Sequence, residues 1–171
     1  MANAVKKTFE MSSHDLCFDE DKATLLCREK AKNKNLWIKK LEGVADIEGV
    51  LEDAERFYII CSQDDENSGY YLAIDKSSGS THWYIPGKAY FHVLHGQSLY
   101  AIFADANIEF FLLKIDRSNG SKCWHHRVGS DLCEYLFGSE RILLIYESGK
   151  TEAISPLTGS PIRAQRRNER C

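Results

Sequence analysis

Residues 71–83 read YLAIDKSSGSTHW and residues 112–124 read LLKIDRSNGSKCW. Two apolar residues, Ile-Asp, a Gly-Ser pair and a Trp four positions past the glycine recur with a shift of 41. Self-similarity at such a period marks a repeated supersecondary unit. A weaker copy stands at 25–37, LLCREKAKNKNLW, with Asn33 in the glycine position and Trp37 in the tryptophan position. Another stands at 151–163, TEAISPLTGSPIR, where Gly159 is in register and Arg163 replaces the Trp.

Each unit reads as strand, turn and return strand. Tyr70 to Asp75 and Phe110 to Asp116 are apolar on both alternating faces, the pattern of strands buried between two layers. Asp75 and Asp116 then open a turn whose backbone N–H groups their carboxylates can accept, so turn capping rather than acid–base chemistry is their expected role. Gly79, Gly120 and Gly159 supply the left-handed conformation such a turn needs, and Asn33 is the next most tolerant residue for it. The constant spacing to Trp37, Trp83 and Trp124 predicts that each indole faces the same kind of neighbour, as a core or inter-unit residue.

Upstream of these turns lie further strand-like runs. Tyr90 to Leu94 and Leu99 to Phe103 flank a Gly-containing hairpin, and Leu132 to Phe137 and Ile142 to Tyr146 flank another. The stretch Leu41 to Glu55 offers a helical stripe at Val44, Ile47 and Leu51, but Gly43, Gly49 and register with the other units favour a strand. Four strands in about 40 residues is the signature of a β-propeller blade. The expected fold is therefore all-β, a propeller-like array of about four four-stranded antiparallel blades, forming a partial propeller or half of a larger ring. The expected domain is 1–162, with blades near 5–40, 41–86, 89–127 and 131–162, followed by a basic tail at 163–171.

On these residues the chain resembles the PQQ-like (quinoprotein-type) propeller repeat, in which a strand ending in Asp leads through a Gly turn to a Trp that docks between blades. The resemblance runs over about 13–163, with two good copies and two degenerate ones. It implies a propeller fold, and because the repeat occurs both in quinone-dependent dehydrogenases and in scaffolds without a cofactor, it assigns no chemistry.

Composition and motifs restrict function further. The chain has 171 residues, 22 Lys and Arg against 25 Asp and Glu, and 43% hydrophobic residues, an ordinary globular balance without an overall basic field to gather polyanions. Met1 to His14 contains no apolar run of signal-peptide length, so a cytoplasmic location and no membrane partner are expected. The six cysteines, Cys17, Cys27, Cys61, Cys123, Cys133 and Cys171, form no C-x-x-C pair and are read as buried free thiols. Gly149-Lys150-Thr151 lacks the earlier glycine and following helix of a phosphate loop. His125 and His126 alternate across a strand and cannot share one metal, and no carboxylate or cysteine adjoins His92 and His95. No G-x-S-x-G elbow is present. These readings lead to no enzyme, no catalytic residues, no cofactor and no metal.

The expected function is a protein-interaction or scaffold module. Its expected partner is another protein or a second copy completing a ring in a homodimer, because four blades leave two blade faces unpartnered. One alternative is a small-molecule-binding or enzymatic propeller with a site on its axis. The other rests on the tail, where Arg163, Arg166, Arg167 and Arg170 give residues 163–171 a net charge of +3 and could pair an acidic partner or nucleic-acid phosphate. Apart from that tail, nucleic acid is not an expected partner.

Overall fold

Four antiparallel sheets follow one another along the chain in a computed structural model that describes residues 6–65 and 67–163. The first sheet contains β1 (Lys6–Glu10), β2 (His14–Asp19), β3 (Thr24–Glu29) and β4 (Lys34–Lys40). The second contains β5 (Asp46–Glu52), β6 (Arg56–Ser62), β7 (Gly69–Asp75) and β8 (Thr81–Pro86). The third contains β9 (Ala89–His95), β10 (Ser98–Ala104), β11 (Phe110–Ile115) and β12 (Lys122–Val128). The fourth contains β13 (Leu132–Phe137), β14 (Ile142–Tyr146) and β15 (Thr151–Ile154). Within each sheet the strands pair in chain order, so each is a meander, and together they form a partial propeller of four blades.

The ambiguous segment before Arg56 is strand β5, paired along β6 from Asp46 to Glu52 with a bulge between Ile47 and Gly49. Gly49 has a packing reason: a Cβ there would lie 2.9 Å from the His92 imidazole of the third blade. The fourth blade departs from the expected four strands. Beyond β15 only a single bridge, Ile154 to Pro161, and the bond from Ile162 N to Ala153 O (2.7 Å) mark the start of an outer strand. Pro161 has no N–H to extend a ladder, and the residues after Arg163 lie outside those described.

The core is divided into three slabs, each between adjacent blades. The first joins Leu16, Phe18, Leu25, Cys27 and Trp37 of blade one to Ile47, Phe57, Ile59, Cys61, Leu72 and Ile74 of blade two. The second joins Tyr58, Tyr71 and Trp83 to Leu99, Phe103 and Leu113, and the third joins Tyr100, Leu112 and Trp124 to Ile142, Leu144 and Ile154. Strands of inner blades bury both alternating faces because each face belongs to a different slab. Among the described residues no core cluster joins blade four to blade one, so the row has two free faces.

The cysteines follow this geometry only in part. Cys27 and Cys61 are buried, and burial raises their thiols to about 11 and 12. Cys17 is half-buried, whereas Cys123 and Cys133 are exposed, contrary to the reading of all six as buried. A strand in an apolar run still turns alternate residues outward, and these two lie on outward positions of β12 and β13. Cys171 lies outside the described residues.

Candidate interaction surface

The repeat motif builds the joints between blades. The Trp37 indole donates to Lys76 O at 2.8 Å, Trp83 to Arg117 O at 2.8 Å and Trp124 to Pro156 O at 3.0 Å. Each acceptor lies three residues before the turn glycine of the next blade. Those glycines, at φ +72, +75 and +71, lie directly against the indoles: a Cβ would come within 2.5 Å of Trp37 at Gly79, 2.7 Å of Trp83 at Gly120 and 2.5 Å of Trp124 at Gly159. Glycine is thus required twice over, by the backbone and by the close approach of the ring. The turns are held from within. Asp75 Oδ1 accepts from Ser77 N and Ser78 N, both at 2.9 Å, and Asp116 Oδ1 accepts from Ser118 N at 2.8 Å. Hydrogen bonds from the Ser77 hydroxyl and the turn amides hold the Asp75 carboxyl down at about 2, and those from Ser118 lower Asp116. Both carboxylates are occupied as caps.

The two ends break this scheme in different ways. No described blade precedes blade one, and Asn33, at φ 49, stands where the others have glycine. Strand register places Leu16 of blade one, Tyr58 of blade two and Tyr100 of blade three in equivalent positions. On that alignment, Ile47, Phe57, Cys61 and Ile74, which blade two packs against blade one, correspond to Lys6, Asp15, Asp19 and Arg28 on the free face of blade one. Cys17 and Leu26 remain apolar there, and exposed Ile38, opposite Leu26, shares their side of the sheet. A terminal repeat with a polar outer face is how a stacked array is kept soluble.

Blade four keeps an apolar free face. Leu143 and Ile145 occupy the places that Tyr100 and Ile102 hold in blade three, beside Leu136 and Ala153 in neighbouring strands. Leu136 is 54% exposed, and Glu134, Thr151 and Arg163 surround this patch where blade three has Phe91, Leu112 and Trp124. An apolar centre with a polar rim is the anatomy of a protein interface.

The polar groups of two inter-blade clefts are largely paired with one another, His126 Nε2 being buried without a hydrogen bond. Between blades two and three, Asp53 accepts from the Tyr58 hydroxyl at 2.6 Å and from Arg117 at 3.2 Å, while Arg56 donates to Arg117 O. Desolvation works against the Asp53 charge, but Tyr58 and two backbone amides outweigh it and lower the carboxyl. Between blades three and four, His126 lies 3.2 Å from Glu152, which also accepts from Tyr146 at 3.2 Å. His125 is exposed and His126 half-buried, on opposite faces as alternation requires. No group of three or more metal-ligating side chains occurs among the described residues, and no helix there is long and apolar enough to cross a membrane.

The tail arginines divide in the same way. Arg163 is exposed at the end of the described chain, and Arg166, Arg167 and Arg170 lie outside the described residues. A second basic surface, on the β3–β4 hairpin, escaped the sequence reading, although six cations against one acid between Arg28 and Lys40 were a usable signal. Overall charge balance concealed it.

No family model and no curated protein matches this chain. Solved structures do. BamB from Moraxella catarrhalis superposes with a TM-score of 0.62 at 15% identity, over 88% of this chain and 49% of that one. The computationally designed Ika4 protein gives 0.62 at 8% identity, over 91% of this chain and 93% of that one. Quinohemoprotein alcohol dehydrogenase from Comamonas testosteroni gives 0.61 at 9% identity, over 94% and 34%. The chain spans about half the length of BamB. At these identities the likeness is one of fold, and the fold is that of the β-propellers.

Proposed function

We propose that this chain is a non-enzymatic protein-interaction module built on PQQ-like propeller repeats, which docks a partner on the free face of blade four. The observation that carries this reading is the asymmetry of the two ends: blade one sets Lys6, Asp15, Asp19 and Arg28 around the apolar residues of its free face, whereas the free face of blade four centres on exposed Leu136 with half-buried Leu143, Ile145 and Ala153 and no charge among them. The surface that fits is another apolar blade-like face, of the kind that blade four itself turns toward blade three with Ile142, Leu144 and Ile154. A second copy entering head-to-tail would instead bring Lys6, Asp15, Asp19 and Arg28 against this patch. A ring completed by a different protein is therefore the better form of the proposal than a head-to-tail homodimer.

The test is a photo-crosslinking residue at Leu136 in the full chain, expressed in its own cells. Covalent protein adducts that disappear in an Ile145→Glu background are the expected result. Equal labelling with and without Ile145→Glu, or no adduct at all, overturns the reading.

A further inference from the structure

The geometry points to a second docking surface at the opposite end of the row: we propose that the β3–β4 hairpin of blade one binds an extended acidic segment of a partner protein, laid along the open edge of β4. β4 is the outermost strand of its sheet and pairs only with β3, so its far edge presents free backbone donors and acceptors among the described residues. Extended peptides add to such edges through main-chain hydrogen bonds, and side-chain pockets supply the specificity.

The chemistry of the edge defines the occupant. Arg28, Lys32 and Lys34 line an open groove at the hairpin tip, and Lys40 lies at the other end of β4. Lys32 pairs with Glu29 at 3.1 Å and Lys40 with Glu42 at 3.2 Å, each a solvent-exposed cation on a single carboxylate. Arg28 and Lys34 form no ion pair among the described residues, and Arg28, Lys30, Lys32 and Lys34 outnumber the neighbouring Asp15 and Glu29, so the groove carries a net positive charge. Between the cations stand Leu36, 36% exposed, and Ile38, 69% exposed.

Lysines on an edge strand also discourage strand-to-strand aggregation. That role does not call for two exposed aliphatic residues in the middle of the strand, which work against it. Single-stranded nucleic acid is held by aromatic stacking platforms along a basic groove, and Leu36 and Ile38 are aliphatic. An extended segment alternating acidic and apolar residues matches both features at once.

This surface is independent of the blade-four patch, and its test does not involve that patch. A fluorescent peptide alternating Glu and Val is titrated against the full chain by anisotropy, with an all-Glu peptide, a Lys-Val peptide and single-stranded RNA as comparisons. The expected result is salt-sensitive binding of the Glu-Val peptide alone, with slowed amide exchange along β4. Arg28→Glu with Lys34→Glu, and Ile38→Glu separately, each weaken it by about tenfold or more, since close charge pairs and buried anchors carry such interfaces. An unchanged melting temperature for these surface variants ties the loss to binding. No binding of the Glu-Val peptide, equal or tighter binding of all-Glu peptide or RNA, or affinity unaffected by the hairpin changes but lost on removing the chain after Ile162 overturns the proposal.

Discussion

Blade one and blade four are built from the same repeat, yet they end the row in opposite ways. Blade one has its Trp37 and lacks the glycine: its indole reaches blade two, and among the described residues no indole reaches Asn33. Blade four keeps Gly159, which receives Trp124, and gives up the tryptophan, because no described blade follows. The two halves of the lock are present or absent according to which described neighbour a blade has, and each half is needed only at a joint. The faces differ in another way: both are apolar at each joint, whereas on the free sides blade one sets Lys6, Asp15, Asp19 and Arg28 around its apolar residues and blade four does not.

The largest expected effect comes from breaking a joint outright. Trp83→Ala removes a buried indole and its bond to Arg117 O between the central blades, and should cost about 3–5 kcal/mol by urea unfolding. Arg163→Ala, at the equivalent but exposed position, should leave stability within about 0.5 kcal/mol. If the two changes had similar effects, the contrast between joint and end would fail.

The turn residues sharpen the same contrast with a smaller effect. Gly120→Ala forces an L residue into the left-handed region, about 1–2 kcal/mol, and also drives a methyl into Trp83, which overpacking places at about 1–3 kcal/mol more. Asn33→Ala faces no indole and should cost about 1 kcal/mol or less. Chemical denaturation of the pair measures the contribution of the ring contact by difference.

The pH dependence of stability should come from the inner joints rather than the ends. Burial lowers His92 to about 4, beside the Tyr71 hydroxyl at 3.1 Å. A base whose folded pKa is depressed stays neutral in the fold while the unfolded chain takes up a proton. Its contribution is therefore complete above about pH 6.5 and lost as pH falls toward 4. Desolvation works against the charge of Glu52, but hydrogen bonds from Lys76 and Ser12 prevail and hold it down at about 2, so its contribution is present above about pH 4.5 and lost as pH falls toward 2. Melting temperature measured from pH 8 to pH 3 should fall in these two steps, and His92→Gln should flatten the first. A first step that survives in His92→Gln would assign it elsewhere.

The smallest effect on stability, and the most direct on the difference between ends, comes from giving blade one the face of blade two. Asp15→Phe with Arg28→Ile should leave the fold within about 1 kcal/mol while producing concentration-dependent growth in mass by light scattering. A variant with the mass distribution of the parent chain would mean that the charges on blade one are not what keeps that face free.

Much of this architecture was legible in residues 71–83 and 112–124, because a strand apolar on both faces, a capped turn, a glycine and a tryptophan at fixed spacing are local features with local causes. Asn33 and Arg163 were visible as departures from the pattern, but their meaning depends on which blade they would have met. Exposure of Cys123 and Cys133 followed from side-chain alternation inside apolar runs, which composition does not resolve.

The sequence by itself determined the strands, their meander order and the repeat, since these follow from periodicity and turn chemistry within about 40 residues. Only the tertiary structure decided that each indole sits on the glycine of the next blade, that blade one turns Lys6, Asp15, Asp19 and Arg28 outward, and that Leu143 and Ile145 of blade four remain uncovered. Those facts depend on contacts between residues such as Trp37 and Gly79 or Trp124 and Pro156, which lie 32 or more positions apart. Burial is a property of the neighbour that arrives rather than of the residue that waits for it.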